Sequence, residues 1–156
     1  MLSPRLFRAL GWCWLIIGAS AAPFLIWSAL TGEGTLARGF AATLGLGVFA
    51  GGFTLAATRG ADRPASPEAG LRLALAGWVS SPVIAWPALA ASAPDAAAGL
   101  FETVSALTTT GASAIDPALA HPAVIVWRGV LQAWGGFGSL MLAATVFAAL
   151  DARGPG

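Results

Sequence analysis

The sequence predicts an all-α membrane protein with four transmembrane helices, arranged as a helical hairpin followed by one membrane–pore loop–membrane unit. Three observations lead to this fold class. Hydrophobic residues make up 57% of the chain and charged residues only 10%, a balance too apolar for an ordinary soluble domain. Long apolar segments recur, and each is long enough to cross a bilayer core of about 30 Å. Between the last two lies a Thr- and Gly-containing segment, Phe101–Ser113.

The first predicted span runs from Leu10 to Leu30. At about 1.5 Å per residue it is roughly 32 Å long, enough to cross a bilayer. Pro23 predicts a kink. A signal peptide is the competing interpretation, because Arg5 and Arg8 precede the apolar run and Ala19–Ala21 resembles a cleavage site. The apolar run continues past that site, which favours a transmembrane span.

A second span, Leu36–Thr58, completes an N-terminal transmembrane hairpin over residues 1–60. Within it, Gly47 and Gly51 form a small-xxx-small pair, a pattern that lets another helix approach closely. Pro, Gly and charged residues then cluster over residues 61–70. Such clusters break helices, so we predict a cytoplasmic linker there.

Residues 71–150 form the predicted membrane–pore loop–membrane unit, followed by a cytoplasmic tail at 151–156. Its first helix, Leu71–Ser92, contains Pro82 and Pro87, and a proline inside a helix predicts a bend.

The fourth span, His121–Leu150, is about 30 residues long, which predicts tilt, a break, or extension past the bilayer. Gly135, Gly136 and Gly138 lie in its middle. Two interpretations stay open for these glycines, a flexible constriction and a site of close helix packing. His121 is the only histidine, and we expect it to cap this helix or to contact another one.

The arginines predict the orientation through the excess of cations in cytoplasmic loops. Six of the eight cationic residues fall on one side of the predicted topology: Arg5, Arg8, Arg59, Arg63, Arg72 and Arg153. We therefore predict a multi-pass protein of the plasma (inner) membrane with both termini in the cytoplasm. The segment 93–120 has no cation and three acidic residues, so it faces outside, where acidic character suits the entry of cations.

Charge and cysteine content exclude several other classes. The net charge is only +1 and the chain has no lysine, so no basic run can follow the phosphates of a nucleic acid. The single cysteine, Cys13, excludes an intrachain disulfide and a cysteine-rich metal site. No second His, Cys or carboxylate lies at metal-ligand spacing from His121. We expect no enzymatic activity and no cofactor.

The segment Phe101–Ser113 is the candidate functional element. Phe101, Val104 and Leu107 recur at helical spacing, so a short helix is predicted from Pro94, with Asp95 as a possible cap. Thr108, Thr109 and Thr110 are β-branched and precede Gly111, a sequence that favours extended backbone after the helix. At membrane depth such backbone is tolerated only in protein or along a water-filled path. Aligned carbonyls can replace the hydration shell of K⁺, so the hypothesis is a re-entrant pore loop; the alternative is an extracellular loop with a Thr-rich turn.

Glu102 and Arg128 are ionisable residues at predicted membrane depth, where such residues are costly and usually pair or face water. In one interpretation Glu102 raises the local cation concentration near the filter. In the other, Glu102 and Arg128 form a structural ion pair that fixes the pore helix to the fourth span. Their opposite charges favour the pair.

Two motifs resemble those of one transporter family. They are Phe101-Glu102 with Ser105 and Thr108-Thr109-Thr110-Gly111, and then Trp127-Arg128 with Gln132, Gly135-Gly136 and Gly138. In this order and spacing they resemble the Trk/Ktr/HKT superfamily of potassium transporters, in particular the first pore repeat of the TrkH-type membrane subunit. The resemblance covers Leu10 to about Leu150.

The resemblance implies uptake of potassium driven by the electrochemical gradient. The transported ion would be the only ligand, held by Thr108, Thr109, Thr110, Gly111 and Ala112, with Gly111 as the selectivity glycine. It also implies contact with membrane lipid and a cytosolic nucleotide-binding regulatory subunit. We expect no metal site beyond that for potassium.

One departure from the family is large. Its members carry four pore units in one polypeptide, whereas this sequence contains one, and a single strand cannot surround an ion. The chain is then one part of a split transporter, a subunit of a homo-oligomer, or an inactive truncated remnant. A different class of function also stays open: a small membrane scaffold or regulatory subunit that binds a partner through glycine-lined helix faces such as Gly47 and Gly51.

Overall fold

The computed structural model describes residues 4–60 and 67–151, and these ranges contain six α-helices and no strand. The helices are α1 (Pro4–Ser20), α2 (Ala22–Leu30), α3 (Gly34–Ala57), α4 (Pro67–Ala90), α5 (Ala96–Leu107) and α6 (Pro122–Asp151). The all-helical part of the predicted fold class is confirmed. Most of the predicted linker and tail, with Arg63 and Arg153, lies outside the described residues, as does the side chain of Arg5.

The first apolar segment consists of two helices, α1 and α2. The chain turns at Ala21, whose N–H donates to Gly18 O at 3.0 Å, and α2 starts again with Pro23 in its first turn. Proline is tolerated there because the first N–H groups of a helix lack intrahelical partners. In the described part of the chain, two segments of 24 residues are long and apolar enough to cross a membrane, Phe7–Leu30 and Gly34–Ala57.

Helices α1 and α3 pack with their backbones in contact. A Cβ atom at Gly47 would lie 2.5 Å from the Cα of Gly18, and one at Gly51 would lie 2.6 Å from the carbonyl oxygen of Gly11. No side chain fits at these positions, so glycine is required by space alone. The close approach that the sequence predicts at Gly47 and Gly51 is therefore made within this chain.

Helix α4 continues through Pro82 and Pro87, and α3 packs against the second proline. A Cβ at Gly39 would lie 2.7 Å from the Pro87 carbonyl oxygen. One turn further along α3, the Thr43 hydroxyl accepts a hydrogen bond of 3.1 Å from the Ala88 N–H. Thr43 is fully buried, so this bond joins α3 to α4 inside the core.

Trp127 lies at the centre of the core and joins the hairpin to α6. Its ring contacts Phe24 of α2 at 5.4 Å and Phe40 of α3 at 5.8 Å between centroids, both edge to face. Such pairs stabilise by about 0.5–1.5 kcal/mol beyond the burial of apolar area. This cluster fixes the position of the first half of α6. Arg128, the residue after Trp127, is positioned with it.

Helix α6 runs unbroken from Pro122 to Asp151, through Gly135, Gly136 and Gly138. Of the three outcomes that its length predicts, a break at the glycines is absent. His121 precedes the helix and caps it, because its Nδ1 accepts from the Ala123 N–H at 3.2 Å.

Candidate functional site

The site begins with α5, the short helix between the two long helices α4 and α6. Asp95 has extended backbone, and its Oδ1 accepts from the Ala98 N–H at 2.7 Å. This is an N-cap, so the short helix and its cap are as predicted. The last three residues of α5, Ser105 to Leu107, are buried, which fixes the point from which the loop starts.

Helix α5 ends in a Schellman motif, the two-bond closure common at helix C-termini. The Thr109 N–H donates to Ala106 O and the Thr110 N–H donates to Ser105 O, both at 3.0 Å. This pattern needs a left-handed residue at its centre, and Thr109 has φ +57°. Gly111, two residues later, has φ +78°.

The left-handed Thr109 corrects the prediction of a plain extended segment. Glycine is usual at this position, and a residue with a Cβ atom costs about 1–2 kcal/mol there. Side-chain branching at Thr109 makes the conformation rarer still. Backbone strain of this kind concentrates at functional sites, where the surrounding contacts impose it.

Four consecutive backbone carbonyl groups, those of Thr108, Thr109, Thr110 and Gly111, have no hydrogen-bond donor among the described residues. None of the four accepts a hydrogen bond from any residue in the described ranges, and all four residues are exposed. On the side chains, the Thr108 and Thr110 hydroxyl oxygens lie 2.8 Å apart. The loop therefore contains four consecutive exposed residues whose carbonyl groups accept no hydrogen bond from the described residues.

Ala112 differs from the four residues before it. Its carbonyl oxygen accepts from the Ser105 hydroxyl at 2.6 Å and from Nη2 of Arg128 at 3.2 Å. A carbonyl has two lone pairs, and both are used here. Ala112, which the sequence analysis groups with the filter, thus anchors the loop, and its carbonyl interrupts the run of carbonyls that accept no hydrogen bond.

Glu102 holds the far side of the loop. Its Oε1 accepts from the Ser113 hydroxyl at 2.8 Å, from the Ile115 N–H at 3.0 Å, and from the Ala114 N–H. The Glu102 side chain is fully buried. One carboxylate oxygen thus accepts from two backbone N–H groups of an irregular segment, and the Ile115 N–H also donates to the Ser113 hydroxyl at 3.1 Å.

The structure brings Glu102 and Arg128 together. Nε of Arg128 lies 2.9 Å from Oε2 of Glu102, and the Arg128 side chain is only 12% exposed. These two atoms have no hydrogen-bond partner of standard geometry among the described residues, so the contact is a charge pair. Nη1 of Arg128 also donates to the Ser113 hydroxyl at 3.0 Å. We call Glu102, Ser113 and Arg128 the loop clamp.

The three glycines of α6 lie in different surroundings. A Cβ at Gly135 would overlap the Leu107 carbonyl oxygen, so α6 touches the end of α5 there. A Cβ at Gly136 would meet only Thr109 Cγ2, at 3.8 Å, and one at Gly138 would have no atom within 4 Å. Gly135 is therefore a site of close helix packing. Gly136 lies next to the side chain of Thr109, and Gly138 borders open space.

Two other residues support the site. Nε2 of Gln132 lies 4.0 Å from where a Cβ on Gly111 would be, so α6 flanks the loop at this level. Ser113 bridges both charged members of the loop clamp, a role that its sequence position did not reveal.

Comparison with family models, with curated proteins and with solved structures finds no significant match for this chain. The resemblance to the Trk/Ktr/HKT superfamily therefore rests on the sequence motifs alone.

Proposed function

We propose that this chain is a potassium-conducting pore unit of a Trk-type uptake system in the plasma (inner) membrane. The observation that carries the proposal is that four consecutive exposed residues, Thr108 to Gly111, have carbonyl groups that accept no hydrogen bond from the described residues. Backbone carbonyl groups can replace the water ligands of K⁺. No covalent step is involved, so the chemistry is permeation.

The loop clamp supports this role because it holds the residues that directly follow these carbonyls, Ala112 to Ile115. A filter must keep its oxygens in place while ions enter and leave, because binding sites need rigid support to be precise. Glu102 and Arg128 supply that support with opposite charges, so the anchor itself has no net charge to attract or repel the ion. Glu102 is buried in the clamp, which favours the structural interpretation of this residue.

In the proposed topology the chain crosses the membrane four times, through α1 with α2, α3, α4 and α6. Helix α4 contains the apolar stretch Leu75–Ala90, and α6 has 30 residues. Helix α5 and the loop re-enter from outside, and both termini are cytoplasmic. Irregular backbone at membrane depth then lies where it is tolerated, against protein on one side and a water-filled path on the other.

One chain supplies one side of a filter, so further pore units complete it. They come from a separate subunit or from copies of this chain. The exposure of the loop fits a surface that other units cover. A cytosolic nucleotide-binding regulatory subunit belongs to the same proposal, through the family resemblance alone.

The scaffold alternative has less support. It needs Gly47 and Gly51 free for a partner helix, and both already contact α1 through Gly18 and Gly11. A truncated remnant without transport is an outcome of the test below.

Growth of a potassium-uptake-deficient host on limiting K⁺ tests the proposal. The chain is expressed alone and together with the genes that neighbour its own, as wild type and as Gly111→Arg. Gly34→Arg is the matched control, because Gly34 also lies near the outer face and its Cβ would meet no atom within 4 Å. We expect rescue by wild type and Gly34→Arg and none by Gly111→Arg. Rescue by the chain alone indicates a self-assembled pore, and rescue only with a neighbour indicates a split pore. Absence of rescue in every combination, with the protein in the membrane, would contradict conduction.

A further inference from the structure

Ser105, in the last turn of α5, holds the loop that follows this helix at two points. Its carbonyl oxygen accepts from the Thr110 N–H at 3.0 Å and from the Gly111 N–H at 3.4 Å. Its hydroxyl donates to the Ala112 carbonyl oxygen at 2.6 Å. Ser105 is only 4% exposed. One buried residue of the helix therefore contacts three consecutive residues of the loop.

The backbone bonds to Ser105 set the direction of two carbonyl groups of the loop. In a planar trans peptide, the N–H group of one residue and the C=O group of the residue before it point in opposite directions. No peptide bond in the described part of the chain is cis. Because the N–H groups of Thr110 and Gly111 point at Ser105, the carbonyl groups of Thr109 and Thr110 point away from α5.

The Ser105 hydroxyl adds a second constraint, at the residue that ends the run of carbonyls. The Ala112 carbonyl oxygen has two donors, the Ser105 hydroxyl at 2.6 Å and Nη2 of Arg128 at 3.2 Å. The first donor belongs to the helix from which the loop starts. Without this hydroxyl, Arg128 would hold the Ala112 carbonyl alone, and the far end of the loop could shift relative to α5.

We infer that Ser105 is a positioning residue that determines the preference of the loop for K⁺ over Na⁺. The inference rests on the proposed function. Ser105 acts through the loop, because its hydroxyl is used by Ala112. In one account of selectivity, carbonyl oxygens held at the distance that suits the larger K⁺ do not close around Na⁺. A loop released from the Ser105 hydroxyl adapts to the smaller ion, so the preference for K⁺ falls.

Competition of K⁺ and Na⁺ with the uptake of radioactive rubidium tests the inference, in cells that express the chain alone or with its neighbouring genes. The measured quantity is the Na⁺ concentration that halves rubidium uptake divided by the K⁺ concentration that does so. This ratio does not depend on how much protein accumulates. We expect Ser105→Ala to lower it at least fivefold. Thr103→Val is the matched control and should leave it unchanged, because the Thr103 hydroxyl donates to Gly99 O within α5, at 2.8 Å.

Hydrogen exchange of the full chain in detergent gives a second measurement, which needs no transport. Ser105→Ala should speed amide exchange in residues 108–115 at least threefold, and Thr103→Val should not. If Ser105→Ala does not accumulate, Ser105→Cys replaces it in both measurements, because a thiol is a weaker donor than a hydroxyl. An unchanged ratio or unchanged exchange in the folded Ser105 variant, or an equal fall of the ratio in Thr103→Val, overturns the inference and leaves conduction standing. Absence of rubidium uptake by wild type rejects the proposed function and this role of Ser105 with it.

Discussion

Between α1 and α3 the backbones touch at Gly18 and Gly47. In the loop after α5 the backbone is held by a buried carboxylate, a serine hydroxyl and a guanidinium group, those of Glu102, Ser113 and Arg128. The contact between α1 and α3 depends on close steric fit, whereas the contacts of the loop depend on charge and hydrogen bonding. Both lie in the same apolar chain.

The difference follows from where backbone polar groups find partners. In α1 and α3 each interior N–H and C=O is bonded within its own helix, so the two helices need only fit each other. From Thr108 to Ile115 the backbone leaves helical geometry, and its groups need partners from elsewhere. Buried charge therefore occurs where regular structure is given up. Among the described residues the consecutive carbonyls of Thr108 to Gly111 accept no hydrogen bond, and these are the groups that the proposal assigns to an ion.

Breaking the loop clamp has the largest expected effect. Glu102→Gln removes the charge that faces Arg128 and leaves a guanidinium with little exposure unpaired, which should lower the free energy of unfolding by about 3–5 kcal/mol. Chemical denaturation in detergent measures this loss. Glu33→Gln, an exposed acid in the turn before α3, is the control and should leave stability unchanged.

The double variant Glu102→Gln/Arg128→Gln sharpens that result. If the two residues act as a pair, the double variant loses less stability than the two single losses added together. Strict additivity, or an Arg128→Gln variant as stable as wild type, would show that the pair does not hold the loop.

Gly135→Ala should be next in size. Its methyl group would overlap the Leu107 carbonyl oxygen, so α6 and the end of α5 must separate. Overpacking of this kind costs about 1–3 kcal/mol, occasionally more. Gly138→Ala is the control on the same helix, because its Cβ has no atom within 4 Å. Thermal unfolding of both variants measures the difference, and equal midpoints would reject the contact.

Gly47→Ala probes the shape-based region. Its Cβ would lie 2.5 Å from the Gly18 Cα, and we expect a loss of about 1–3 kcal/mol from overpacking. Gly45→Ala on the same helix meets no atom within 4 Å and should be neutral. Because the loop is untouched, rescue of growth on limiting K⁺ should be unchanged when normalised to the folded protein. A loss of rescue at normal abundance would mean that the two regions are not separable.

Thr109→Gly has the smallest expected effect on stability, and the effect has the opposite sign. Removing the side chain from a left-handed residue should stabilise the fold by about 1 kcal/mol. Thr110→Gly, at a residue outside the left-handed region, should not stabilise. If the strain at Thr109 serves conduction, Thr109→Gly lowers growth rescue while raising the unfolding temperature. A Thr109→Gly variant with higher stability and full growth rescue would show that the backbone strain at Thr109 is not needed for conduction.

The sequence predicted those features that depend on near neighbours. Asp95 caps a helix three residues away, and Pro23 interrupts the first span within one turn. The Glu102–Arg128 contact was inferred because two opposite charges stand out in an apolar chain. Each of these signals is contained in a few residues or in one exceptional pair.

Other features depend on contacts that no local pattern specifies. Gly47 and Gly51 indicate a close approach, but Gly18 and Gly11 as their partners follow from how α1 crosses α3. The left-handed Thr109 is set by Ser105 and Ala106 carbonyls that close the helix end, against the extended preference of threonine. The hydrogen bond from Arg128 to the Ala112 carbonyl likewise depends on where α6 lies relative to the loop, which no local pattern specifies.

Uptake of radioactive rubidium, a potassium substitute, by cells in which growth is rescued tests the central claim most directly. Wild type is compared with Gly111→Ala, which puts a Cβ on a residue at φ +78°, and with Gly34→Ala as control. We predict saturable uptake that K⁺ competes with, reduced at least tenfold in Gly111→Ala at equal abundance and unchanged in Gly34→Ala. Equal uptake by wild type and Gly111→Ala would contradict the assignment of the Thr108–Gly111 carbonyls as the ion path.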